Sequence, residues 1–528
     1  MNIAVSVGGL ILLGACGMLI ANAADDLTRP IRASADGHFL VQPDGRPFFW
    51  LSDTAWELFN RLNREETDLY LKDRAQKGFT VILAVVTGRV GEGTGIKALN
   101  RYGQSPFIDR DPLQPNLDYF KHVDWAVDRA AHYGLRLALL PVWGLSDVSG
   151  EESTRIAQLF DPAKAEQYGH WLASRYRGKG VIWVLGGDVD PLWPDNLRFV
   201  QDREGNWTRQ GGLTIRDFRP VYDALAKGIK AGDGLDAFIT YHITGISFSG
   251  TAHPRTSLYF HDREWLTMNM IQSSHSIDPT TQLRMMGADF GWNSTLNYEP
   301  IGDEYASLPA RPVVDSEPHF EDHPIVDDVF NAILQRFEGR YWRAYDIRNA
   351  LYHALFAGAA GHAYGHFNVW EFYDINNGPH DYFDPENFRD RKSWRIALDA
   401  PGAGQMHYAK ALMLSRPYFS RIPDQTVIVG DLGKGEQHLS ATRDRDGSYM
   451  MIYLPQGGSV VVDMTRLAGP VAVAWWFNPR TGTANRIKGD FSTSGTRSFT
   501  PATNGSENDW VLVLDEVRKE LSAPGMIH

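Results

Sequence analysis

Between residues 48 and 370 the chain repeats one pattern. A short apolar run is followed by a longer stretch with apolar residues three and four positions apart. The runs are 48–56 (FFWLSDTAW), 79–86 (FTVILAVV), 135–143 (LRLALLPVW), 180–188 (GVIWVLGGD), 238–244 (FITYHIT), 266–275 (LTMNMIQSSH), 311–320 (RPVVDSEPHF) and 361–370 (GHAYGHFNVW). Near-continuous apolar strands suit a parallel sheet covered on both faces. Helical signals lie between them. Asn63 with Glu66 three residues on is a capping box, and Gly78 closes that helix. Phe120, Val123, Val127 and Ala130 mark one face of a helix over 116–133. Residues 162–177, 216–230 and 344–358 also carry helical patterns. Eight strands alternating with helices predict an α/β fold, a (β/α)8 TIM barrel over residues 28–421 with enlarged loops. The sixth run and the aromatic region 246–305 follow the pattern least closely.

After Arg416-Pro417 the period changes. HLSATRD, SYMMIYLP, SVVVDM, VAVAWWFN and DWVLVLDE are short alternating segments, punctuated by Asp446-Gly447, Gly457-Gly458 and Asn478-Pro479. They predict a small antiparallel β-sandwich over residues 422–518.

Net charge narrows the partners. The chain carries −12 and has no long basic run, which excludes the electrostatic footprint of a nucleic-acid binder or a polybasic membrane patch. At the N-terminus an apolar stretch, residues 3–20, leads into Ala21-Asn22-Ala23. That reads as a signal peptide over residues 1–23, with an uncleaved anchor as an alternative, and either predicts an exported protein, periplasmic or extracellular. Leu13-Gly14-Ala15-Cys16 offers a second reading, a lipoprotein box with Cys16 as the lipid anchor. Cys16 is the only cysteine. The mature chain is therefore expected to use no disulfide, no thiolate metal site and no cysteine nucleophile.

In a barrel, chemistry sits at the C-terminal ends of the strands. Asp188 ends the fourth run and Glu317 ends the seventh, so both face the barrel mouth. Position alone also allows Asp188 to be a turn residue capping the next helix. The pair tips the reading toward glycoside hydrolysis, which needs one protonated and one ionised carboxyl. Asp315, two residues before Glu317 and on its face in a regular strand, reads as a barrel-interior or supporting group. Asp53 and Trp56 after the first strand, Trp143 after the third, and His242, His275, His319, His366 and Trp370 after the fifth to eighth read as a substrate-binding ring. Aromatic faces stack on sugars, and His and Asp bind hydroxyls. No H-x-H opens the first strand and no H-E-x-x-H occurs, so no metal or other cofactor is expected despite the spacing of His362 and His366. There is no G-x-S-x-G elbow, and GRVGEGTG (88–95) lacks the Lys-Ser/Thr of a phosphate-binding loop.

FFWLSDTAWELFNRL, FTVI, GGD, SEP and AYGHFNVW, in this order, resemble the apiosidase-like family, glycoside hydrolase family 140. WWFNPRTG resembles the small β domain that accompanies it, often labelled collagen-binding. The resemblance implies a retaining-type TIM barrel with Asp188 as acid/base and Glu317 as nucleophile. It also implies a polysaccharide or oligosaccharide substrate, apiose-bearing side chains of the pectin rhamnogalacturonan II. Where the wider clan has Asn-Glu after strand four, this chain has Gly-Asp, a shorter acid that leaves more room between the carboxyls. Arg89, Arg101 and Arg255 are candidates for meeting an acidic glycan. The alternatives are a non-catalytic carbohydrate-binding or adhesin protein on a barrel scaffold, and a metal-dependent hydrolase. Nothing in residues 422–517 supports collagen binding physically.

Overall fold

The computed structural model describes residues 27–88, 99–144, 160–194, 198–201, 207–211, 214–247, 249–251, 254–277, 290–291, 293–325, 340–376 and 391–526. The segment expected to be a signal peptide, Cys16, Arg89 and most of the glycine-rich run 88–95 lie outside the described residues.

All eight apolar runs contain a strand. These are β1 (Trp50–Thr54), β2 (Val81–Val85), β3 (Arg136–Leu140), β4 (Ile182–Gly186), β5 (Ile239–His242), β6 (Asn269–Ile271), β7 (Val313–Asp315) and β8 (Gly361–Tyr364). They pair in the order β5-β4-β3-β2-β1-β8-β7-β6, all parallel. The ring closes between β5 and β6. There Thr267 N–H donates to the Ile239 carbonyl at 2.8 Å and Thr240 Oγ1 to the Met268 carbonyl at 2.6 Å. This is the predicted (β/α)8 barrel. The closing strand β6, whose run follows the pattern least closely, has three residues.

The two-residue period of a strand sorts the side chains. Trp50, Val81, Leu83, Ala138, Ile182, Val184, Met268, Met270, Val314 and Ala363 fill the barrel interior. A hairpin pairing Arg32–Ala33 with Leu40–Val41 brings Leu40 into this cluster, which also holds Trp56, Trp143, Phe320 and Trp370 from beyond the strand ends. The alternate positions, Leu51, Ile82, Leu139, Trp183 and Tyr241 among them, pack outward under the helices.

The longer helices among the described residues are α1 (Arg64–Gln76), α2 (Leu117–His132), α3 (Pro162–Arg175), α4 (Arg219–Asp233), α5 (Tyr298–Ala306), α6 (Ala344–Phe356) and α7 (Pro401–Leu414). α1 starts on the expected capping box. The Asn63 side chain accepts from Glu66 N–H, and the Glu66 carboxylate from Asn63 N–H. Phe120, Val123, Val127 and Ala130 are buried on α2, as their spacing predicts. Among the described residues no helix is long and apolar enough to cross a membrane.

Strands β9 (Arg421–Pro423), β10 (Ser440–Asp444), β11 (Tyr449–Leu454), β12 (Val460–Asp463), β13 (Val471–Asn478), β14 (Thr483–Arg486), β15 (Phe491–Ser492), β16 (Thr496–Phe499) and β17 (Trp510–Glu516) follow. The main antiparallel sheet runs β9-β10-β11-β17-β13-β14, with β15 also on β13, and a β12–β16 ribbon completes the sandwich. Met450, Ile452, Leu454, Leu512 and Leu514 face the ribbon residues Val460, Val462 and Phe499. The alternate residues Tyr449, Met451, Tyr453, Val511 and Val513 join the core of the barrel domain. The central strands β11 and β17 are therefore buried on both faces. Arg348 of α6 forms a bidentate pair with Asp509 (2.8 and 3.0 Å), Arg416 pairs with Asp515 (2.8 and 2.9 Å), and Tyr352 stacks on Tyr453 at 4.9 Å.

Candidate active site

β4 ends in three successive residues with positive φ: Gly186 (81°), Gly187 (113°) and Asp188 (54°). The glycines are required by close approach as well as by φ. A Cβ on Gly186 would lie 2.5 Å from the His242 carbonyl, and one on Gly187 would lie 2.9 Å from the Trp143 ring. Asp tolerates the left-handed region better than most residues, though at some cost in strain. The turn places the Asp188 amide against β5. Asp188 N–H donates to His242 Nδ1 at 3.1 Å. A neutral imidazole that accepts at Nδ1 carries its proton on Nε2. Nε2 faces Glu317 Oε2 at 3.4 Å. One ring therefore links the two carboxylate-bearing strand ends.

Glu317 gets there because β7 stops at Asp315. Ser316 N–H donates to the Ile271 carbonyl and Ser274 N–H to the Glu317 carbonyl, which turns the chain over the mouth. Its second oxygen, Oε1, faces His275 Nε2 at 3.4 Å. His275 stacks on His323 at 4.2 Å. Burial alone would raise the Glu317 carboxyl. The imidazoles of His242 and His275, each turned toward one of its oxygens, outweigh it and hold the group well below the usual carboxylate range. Glu317 is thus an ionised carboxylate, 8% exposed. Such a group can attack an electrophilic carbon or activate water.

The aromatics of the ring pack around this centre. Trp56 meets Trp143 at 5.2 Å and His242 edge-on at 5.3 Å, and Trp143 lies 6.2 Å from His242. Trp56 is only 1% exposed, so it braces the floor and offers little face for stacking, whereas Trp143 and Trp370 each keep 5%. His366, at the end of β8, accepts from Asn368 N–H at Nδ1 (3.0 Å) and turns Nε2 toward Asp322 Oδ2 at 3.6 Å.

Three expectations need correction. Asp53 does not face the mouth. The register sets it beside Tyr364 on the outer side of β1, where it binds Arg74 Nε of α1 at 2.7 Å and accepts from Tyr70 OH at 2.6 Å. His319 is likewise turned away. Its Nε2 meets the Asp346 carbonyl at 3.0 Å, its ring stacks on Trp342 at 4.0 Å, and burial lowers it to about 4. Asp315 is a supporting group on the outer side of β7, not in the barrel interior. It accepts from Ser273 Oγ (2.7 Å) and Asn297 Nδ2 (3.1 Å), and burial raises it to about 6.

His362 lies beside Leu51 in the register, on the outer side of β8, and does not converge with His366. Arg255 is engaged by Asp303 (3.0 Å) and Glu304 (3.4 Å), and Arg101 lies 4.0 Å from Glu66. Asp322 and His323 were missed. Their only sequence signal was the dense acidic and histidine content of EPHFEDHP just after a strand.

Residues 34–420 match the model of the "Apiosidase-like, catalytic domain". The chain belongs to the apiosidase-like family. Residues 422–515 of this apiosidase-like chain match the model of the "Putative collagen-binding domain of a collagenase". Two solved structures are similar along almost the whole length. One, described as a glycoside hydrolase, is 28% identical with a TM-score of 0.74, over 93% of this chain and 98% of the other. The second is a family 5 glycoside hydrolase from Bacteroides vulgatus. It is 28% identical with a TM-score of 0.76, over 94% and 96% of the two chains. No curated protein matches the chain. The apiosidase-like chain is a glycosidase, and its substrate is a carbohydrate.

Proposed function

We propose that the protein is an exported enzyme that removes apiose-bearing side chains from pectic rhamnogalacturonan II by a two-carboxylate, retaining reaction. The observation that carries the mechanism is the His242 bridge. Its Nδ1 takes the Asp188 amide and its Nε2 faces the ionised Glu317 carboxylate. In the first step Glu317 attacks the anomeric carbon while Asp188 gives its proton to the departing glycosidic oxygen. The products are a glycosyl ester on Glu317 and a free alcohol. In the second step water attacks the same carbon, Asp188 takes the water's proton, and Glu317 leaves as carboxylate. His242 and His275 keep Glu317 ionised in the resting state and restore it after each turnover.

The proposed substrate is supported by the resemblance to apiose-removing members of the family, and the proposed export by the apolar N-terminus with its Ala21-Asn22-Ala23 pattern. The test is digestion of rhamnogalacturonan II oligosaccharides and a panel of other glycans by the mature protein, with products read by mass spectrometry. Release of an apiose-ended fragment is expected, abolished in Glu317→Gln and lowered ~100- to 10,000-fold in Asp188→Asn. Cleavage of a different glycan, lost in the same variants, would keep the mechanism and replace the sugar. Cleavage unaffected by either change would remove both residues from the chemistry. Proton NMR of the first-formed anomer decides between retention and inversion.

A further inference from the structure

The mouth of the barrel contains the His242–Glu317 construction twice. In each copy a wholly buried imidazole accepts a backbone N–H at Nδ1 and turns Nε2 toward a carboxylate. For Glu317 the amide is that of Asp188, and the separation is 3.4 Å. In the second copy the imidazole is His366, the amide is that of Asn368, and the carboxylate is Asp322 at 3.6 Å. The second copy is the more open. The Asp322 side chain is 27% exposed, and only Arg343 Nη1 comes within hydrogen-bond distance of it, at 3.3 Å, among the described residues. Lys392 Nζ stands at 3.9 Å. An ionised carboxylate can accept about four hydrogen bonds. Asp322 has capacity left, and the His366 imidazole turned toward it, with the Lys392 and Arg343 charges, holds it ionised, below its ordinary range.

Its placement joins it to the reacting centre. The segment after β7 pairs with the segment after β8 through Glu321 and His366, so Asp322 sits above neighbouring strand ends. The next residue, His323, stacks on the His275 that faces Glu317. The preceding Glu321 points the other way, accepting from Tyr364 OH and Gly402 N–H. Asp322 itself is held at φ 58°, in the left-handed region, where a non-glycine residue is uncommon and strain collects at working sites.

We propose that Asp322 and His366 form a hydroxyl-binding subsite beside Glu317, in which the Asp322 carboxylate accepts hydrogen bonds from hydroxyls of the sugar whose anomeric carbon reacts. The proposal rests on the glycosidase reading of Glu317 and adds to it the residue that selects the sugar. Asp322 is a substrate-binding residue and takes no part in bond breaking.

The experiment compares the full mature chain with Asp322→Asn and Asp322→Gly. The probes are the p-nitrophenyl glycoside of the cleaved sugar, apiofuranoside in the first instance, and its singly deoxygenated analogues. Asp322→Asn is expected to lower kcat/KM ~10- to 100-fold, the effect of losing a hydrogen bond to a charged group. Against one deoxy analogue the wild-type chain and the variant should become equal. Asp322→Gly relieves the positive φ, so its Tm should stay level or rise while activity falls, which a merely structural aspartate would not do. Equal kcat/KM in Asp322→Asn and wild type, or the same loss for the parent glycoside and every deoxy analogue, would overturn the subsite. If the wild-type chain cleaves another panel sugar and leaves apiofuranoside intact, the apiose reading fails. The same comparison on that sugar then decides the subsite.

Discussion

Replacing Asp53 with alanine tests the outward orientation of the β1 end most directly. Arg74 is fully buried. Burial alone would lower it, but the Asp53 charge outweighs this and raises it further, so the guanidinium stays a cation. With Asp53 removed, Nε loses its partner and Tyr70 OH loses its acceptor, while the Asp73 contact at 3.2 Å compensates only in part. Breaking a buried ion pair from one side costs about 3–5 kcal/mol. Urea unfolding followed by tryptophan fluorescence should show a loss of that size. The double variant Asp53→Leu, Arg74→Met, apolar and similar in volume, should recover most of it. Both variants should keep kcat/KM within a few-fold where they are folded. Unchanged stability with abolished cleavage would refute the argument and return Asp53 to the substrate side of the barrel.

Two further outcomes follow from particular atoms. Gly187→Ala puts a Cβ 2.9 Å from the Trp143 ring at a φ of 113°, displacing the turn that carries Asp188, so kcat should fall ~100-fold. Activity within twofold of wild type would mean that the turn does not position the acid. Burial raises Glu304 from 4.5 to about 7, so the folded chain holds this proton more tightly than the unfolded chain. The stability it contributes is present below about pH 4.5 and is lost as pH rises through 7. Glu304→Gln should therefore gain on wild type by on the order of 3 kcal/mol as pH rises through this window, read from urea midpoints against pH.

The barrel was legible because its strands are buried on both faces, and continuous apolar runs such as VILAV and IWVLG leave no other reading. Asp188 and Glu317 stood out as candidates because both stand just past such runs. Asp53 shows the limit of that rule. A strand end has two sides, and one residue of register decides between the mouth and the helices. The deciding sign was present in Tyr70 and Arg74, one turn apart on the next helix, which together make a buried receptor for a carboxylate. Asp315 supports its neighbours as expected, but from the helix side, because the same alternation that turns Val314 inward turns it outward; His319 fails because the chain turns after Asp315 and the alternation stops there. Asp322 was hidden differently. A charged tripeptide after Phe320 reads as solvated loop until pairing with the segment after β8 brings it over the mouth.

The central strands β11 and β17, buried on both faces, change what the boundary near residue 421 means. It is a seam in sequence and not a hinge. A chain cut there would leave Tyr449, Met451, Tyr453, Val511 and Val513 as one wet apolar wall, and would strand Arg348 of the barrel without Asp509. Neither half can therefore be transplanted alone without exposing a surface that only the other half covers.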